Sequence, residues 1–71
     1  MKIEVFRISP LPAVVETVVR FLDETGSTEV CLFFKREEVM HLSLNDFEGY
    51  AIQRAQSYLT HVVIPSTHSL P

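Results

Sequence analysis

Cysteine is nearly absent from this chain. Cys31 is the only one, so no internal disulfide can form, and there is no C-x-x-C pair or His/Cys-rich tract to hold a structural metal. Glycine is scarce too: Gly26 and Gly49 lie too far apart for a loop that cradles phosphate. No stretch approaches the roughly 18 apolar residues needed to span a bilayer. The opening Met-Lys-Ile-Glu-Val carries an acid where a secretory leader needs an apolar core, so a cytoplasmic protein with no membrane partner is expected.

Basic residues are few, six against nine acids, for a net charge of −3. They are also scattered, with only Lys35 and Arg36 adjacent and Glu37-Glu38 directly after them. Nucleic-acid affinity comes mainly from clustered cations on phosphates, so nucleic acid is not the expected partner. The acid excess is equally too small to imitate a nucleic-acid backbone.

What remains is one small domain of 71 residues, 46% hydrophobic and 21% charged, with no repeat and no low-complexity tract. A core this small supplies only about 3–5 kcal/mol of net stability. Disulfides and metals being excluded, self-association is the remaining way to add to it.

The hydrophobic rhythms predict the order β-α-β-β-α-β. Residues 2–8 alternate and are rich in β-branched side chains, with Ile3 and Val5 on one side and Phe6 and Ile8 on the other. Ser9-Pro10-Leu11-Pro12 reads as a stop followed by a helix start, with Ser9 as N-cap. Leu11, Val14, Val15, Val18, Phe21 and Leu22 recur at helical spacing over 11–22, and Gly26 reads as the C-terminal cap. A strand there would put Glu16 and Val18 on the same face, which weighs against it.

Residues 29–35 are apolar on both faces and 39–44 alternate, so the two form a hairpin turning at 35–38. In it Leu32 and Leu42 face the helices together. Asn45 with Glu48 makes a capping-box-like start for a helix over 46–59. Residues 61–64 form a short last strand ended by Pro65. The expected architecture is therefore α+β and ferredoxin-like: a four-stranded antiparallel sheet, order 4-1-3-2, with both helices on one face. The domain covers 1–65, and 66–71 is a flexible tail. The expected core holds Val5, Val15, Val18, Leu22, Leu32, Leu42, Ala51, Ala55 and Leu59.

Candidate chemistry is sparse. Cys31 and His41 fall on neighbouring strands of the expected hairpin and would make a thiol–imidazole pair if they shared a face, but a lone cysteine in an apolar strand is far more often a small core residue. His61 and His68 have no partners at metal-ligand spacing. Glu37-Glu38 reads as a solvated turn, and Asp46 with Glu48 as helix capping. No catalytic, cofactor or metal site is expected, and the chain reads as a non-enzyme.

The expected sheet face away from the helices carries Phe6, Ile8, Cys31, Phe33, His41, Ser43 and Val63. Clustered apolar surface on a small domain tends to be covered by a partner. The expected function is that of a protein-interaction module, a regulatory subunit, adaptor or phage-type inhibitor, acting as a homodimer through Phe6, Ile8, Phe33, His41, Ser43 and Val63. The alternative is a domain binding a small ligand or single-stranded nucleic acid through Phe6, Phe33 and His41.

Overall fold

A computed structural model of the chain describes the backbone of residues 1–68 and the side chains of residues 1–61. Three strands come first, β1 (Lys2–Pro10), β2 (Val14–Asp23) and β3 (Gly26–Lys35). They form an antiparallel meander in the order β1-β2-β3. A single helical turn, α1 (Arg36–Val39), follows, and then one long helix, α2 (Leu44–His68). The class is α+β, but the four-stranded ferredoxin-like sandwich is not formed.

The largest correction lies at residues 11–22, where the expected helix is strand β2. Four valines (Val14, Val15, Val18, Val19) stiffen this segment at χ1 and favour extended backbone. Both neighbouring strands then complete its hydrogen bonding. The objection to a strand is met by pairing. Glu16 and Val18 do share a face, with Glu16 beside Arg7 and Val18 flanked in register by Arg7 and Cys31. Long neighbours leave Val18 only 5% exposed.

Gly26 closes the β2–β3 hairpin rather than capping a helix. Its φ of 156° lies in a region L side chains rarely adopt. The Asp23 carboxylate accepts from the Thr25 amide, the Thr25 hydroxyl and the Gly26 amide, at 2.9, 2.6 and 3.2 Å. Those bonds, the Thr25 hydroxyl foremost, hold its pKa below the ordinary carboxylate value. Pro10 ends β1, an edge strand where a missing N–H costs no ladder bond, and Leu11-Pro12-Ala13 turns the chain into β2.

The second expected hairpin is absent as well. Residues 36–39 are α1, and the segment beyond it is a turn rather than a strand. Leu32 and Leu42 still meet the same core, Leu32 buried in β3 and Leu42 packed against it from that turn. α2 takes in the expected helix over 46–59 but starts earlier. The Ser43 hydroxyl accepts from the Asp46 amide at 3.2 Å, and the Ser43 carbonyl from the Phe47 amide at 2.8 Å, so Ser43 and not Asn45 is the cap. The expected strand at 61–64 is part of α2. Of the expected tail, residues 66–68 also belong to α2, and 69–71 lie outside the described residues.

The core lies between the sheet and α2. Val19 and Phe21 of β2 and Val30, Leu32 and Phe34 of β3 meet Val39, Phe47, Ala51 and Ala55. The Phe34 ring packs edge-on to Phe47 (centroids 5.6 Å, 72°) and tilted on Tyr50 (5.4 Å). Of the expected core, Val18, Leu32, Ala51 and Ala55 are buried, while Val5, Val15, Leu22, Leu42 and Leu59 are half-buried. Val18 and Leu22 are placed on the far face of the sheet by the β2–β3 pairing.

Thr17 is an exception among these apolar residues. It sits on the helix-facing side between Ile8 and Leu32, fully buried, and its Oγ1 has no hydrogen-bond partner among the described residues. A buried unsatisfied hydroxyl costs about 1–3 kcal/mol. Thr17→Val removes the hydroxyl and keeps the β-branched shape, so it should stabilise the fold by about 1 kcal/mol. For a domain of this size that is a rise of roughly 4–8 °C in a thermal melt. An unchanged or lower melting point would show that the hydroxyl is satisfied.

Candidate functional site: the open face of the sheet

The bulge in β1 decides which side chains share the face away from α2. Val5 pairs with Val19 and Arg7 with Val18, so Phe6 is the extra residue between them. The insertion sends Ile8 back to the side of Ile3 and Val5, against the helix. A regular strand would have put Ile8 beside Phe6, as the alternation predicts. The open face therefore carries Lys2, Glu4, Phe6 and Arg7 from β1, Glu16, Val18 and Arg20 from β2, and Glu29, Cys31, Phe33 and Lys35 from β3.

All the charges on this face except that of Lys35 are matched in pairs. Lys2 lies 3.7 Å from Glu4, and Arg7 lies 4.0 Å from Glu16. Arg20 donates through both Nε and Nη2 to Glu29 Oε2, at 3.1 and 2.8 Å. The same Arg20 guanidinium lies 3.6 Å over the Phe6 ring. Between these pairs stand Phe33, 62% exposed, and Phe6, 47% exposed. Partial burial, followed by the charge of Glu16, pushes the Cys31 thiol above its ordinary value. A thiol held protonated is a poor nucleophile.

The residues expected to form one surface are divided among four places. Phe6 and Phe33 are on the open face. Ile8 faces the core, and it lines with Ser43 an apolar groove of about 320 Å³ that also includes Val15, Leu42 and Phe47. His41 is exposed in the turn between α1 and α2, so the Cys31–His41 adjacency does not form. Val63 belongs to α2 with its side chain outside the described residues, as does that of His68. His61 Nδ1 lies 2.9 Å from the Ser57 carbonyl on its own helix. No group of three or more potential metal ligands is present among the described residues.

One cluster escapes sequence reasoning. Glu38 of α1 accepts from the Tyr50 hydroxyl and, at 3.0 Å, from Arg54; Arg54 also donates to the Tyr50 oxygen at 2.6 Å. The only trace of it in the sequence is the i, i+4 spacing of Tyr50 and Arg54. The Tyr50 hydrogen bond, with Arg54 behind it, lowers the Glu38 pKa, and the same bond raises that of Tyr50. Neither group is poised to exchange a proton near neutral pH, and the cluster clamps α1 to α2.

Because the Glu38 pKa is depressed on folding, the clamp contributes fully above 4.5, the ordinary value, and is lost as pH falls through the lowered one. Wild type should therefore melt above Glu38→Gln at neutral pH, and the gap should close under acid. A gap that persists at pH values well below 4.5 would show that the charge is not what matters.

Comparison with known proteins is negative throughout: no protein family, no curated protein and no solved structure matches this chain. No helix among the described residues is long and apolar enough to cross a membrane.

Proposed function

We propose that this chain acts by binding protein rather than by catalysis, and that its first partner is a second copy of itself, met through the β3 side of the open sheet. The observation that carries the reading is Phe33, 62% exposed on a face where every charge but that of Lys35 is already paired. Pairing leaves an apolar surface with little net field, which favours another protein over a polyanion. The small core adds a thermodynamic motive, since association stabilises a marginal fold by mass action.

Stacking on nucleic-acid bases has less support. The face lacks a free basic stripe, Arg20 occupies one side of the Phe6 ring, and His41 stands elsewhere.

Sedimentation tests the reading. Wild type should be dimeric at high micromolar concentration, with a melting point that climbs with concentration. Phe33→Glu should be monomeric with an unchanged circular-dichroism spectrum, since an aromatic at an interface centre is worth on the order of 2–4 kcal/mol. A wild-type chain that stays monomeric, with a melting point independent of concentration, overturns it. Tight salt-dependent binding of single-stranded RNA would install the alternative.

A further inference from the structure

The two free edges of the sheet are not equivalent. β1 is broken by the bulge at Phe6, ends in Pro10 and carries Lys2, Glu4 and Arg7, all features that discourage pairing with another strand. β3 pairs with β2 without a bulge from Gly26 to Lys35, has no proline, and hydrogen-bonds on one side only. Its run Val30-Cys31-Leu32-Phe33-Phe34 carries no charge. An edge of this kind is a template for strand addition.

The β3 sequence is also complementary to itself. Side chains keep their faces across a two-fold axis only if even-numbered residues meet even and odd meet odd. Reflection about Leu32 satisfies this and sets Glu29 against Lys35 of the second copy, Val30 against its Phe34, and Cys31 against its Phe33. Opposite charges thus close both ends of an apolar stretch. Reflection about Cys31 would set Glu29 against Phe33, and reflection about Val30 would set it against Cys31, leaving the charges unmatched. Lys35 makes no ion pair among the described residues, and both bonds from Arg20 to Glu29 land on Oε2, leaving Oε1 for a second cation.

We infer that two copies join β3 to β3 antiparallel about Leu32, with two reciprocal Glu29–Lys35 pairs, to form one six-stranded sheet. This rests on the self-association proposed above and names its edge and register. It also accounts for Phe33, because the two Phe33 rings become diagonal neighbours across the seam, within aromatic reach.

Charge reversal tests it by sedimentation equilibrium on the full chain. Lys35→Glu and Glu29→Lys should each raise the dimer dissociation constant about tenfold, since each sets like charges opposite one another twice. The double variant should return to within about threefold of wild type, because the pairs re-form with their signs exchanged. Lys2→Glu, the same charge change on β1, should leave the constant within about twofold. Circular dichroism confirms folding, and for Glu29→Lys it reports any loss from the Arg20 pair. A dimeric wild type with no rescue in the double variant, or with Lys2→Glu as damaging as Lys35→Glu, overturns the β3 pairing and leaves self-association standing. A monomeric wild type overturns both.

Discussion

Phe34→Ala is expected to leave the chain without a cooperative thermal transition at room temperature. Phe34 is fully covered, and its ring contacts Phe47 and Tyr50 while the Arg54 guanidinium lies 5.4 Å above it. Truncation forfeits all three contacts and opens a cavity where sheet, α1 and α2 meet. Losses of this kind run to about 3–5 kcal/mol, which equals the whole net stability expected of a domain this small, about 3–5 kcal/mol. Phe33→Ala, one residue away but on the open face, is the matched control and should change the stability of the isolated chain by no more than about 0.5 kcal/mol. Circular-dichroism melts at low concentration check both. A wild-type-like melt for Phe34→Ala would mean that the core does not centre on this ring.

Ala51→Leu is the second large effect, and it acts in the opposite sense, by overfilling. Ala51 and Ala55 are both completely covered, one turn apart on the face of α2 that crosses the sheet. Their small side chains set how closely helix and strands approach. A leucine at 51 must push α2 away from Val19, Leu32 and their neighbours or adopt a strained rotamer, at about 1–3 kcal/mol. Melting should fall by on the order of 10 °C. If the variant melts at or above wild type, the helix has room to shift and the two alanines do not fix the spacing.

These two helix positions, with the α+β class, were readable from the sequence, because caps and periodicity agree along residues 46–59. The inward set of β3 was readable as well, since Val30, Leu32 and Phe34 alternate cleanly. Residues 11–22 were not. Their apolar positions fit a period of 3.6, and the fact that outweighs it, two neighbouring strands ready to pair on both sides, is tertiary. The alternation of β1 holds as far as Phe6 and fails at Ile8, because a bulge shifts the period by one residue and leaves no mark in composition. Residues 39–44 alternate like a strand, yet the chain needs a turn there to bring α2 back across the sheet.

The candidate surface was legible only in its aromatics. Phe6 and Phe33 fall on the open face as expected, whereas His41, Ser43 and Val63 were grouped with them through strands that do not exist. The Glu38–Tyr50–Arg54 clamp was out of reach, since it depends on where a single turn of helix places one carboxylate.

The order of the elements along the chain also shapes how the protein is made. Every strand pairing is between neighbours in sequence, so the meander assembles through short, rapidly closing loops. The cover for its apolar side comes entirely afterwards, from Val39 in α1 and from Phe47, Ala51 and Ala55 in α2. A nascent chain that has emerged only as far as Lys35 thus presents an uncovered hydrophobic sheet with two unpaired edges. Synthesis halted at that point, by a truncation or a stalled ribosome, yields a species suited to aggregation and to chaperone capture, and only the residues that follow Lys35 remove the hazard.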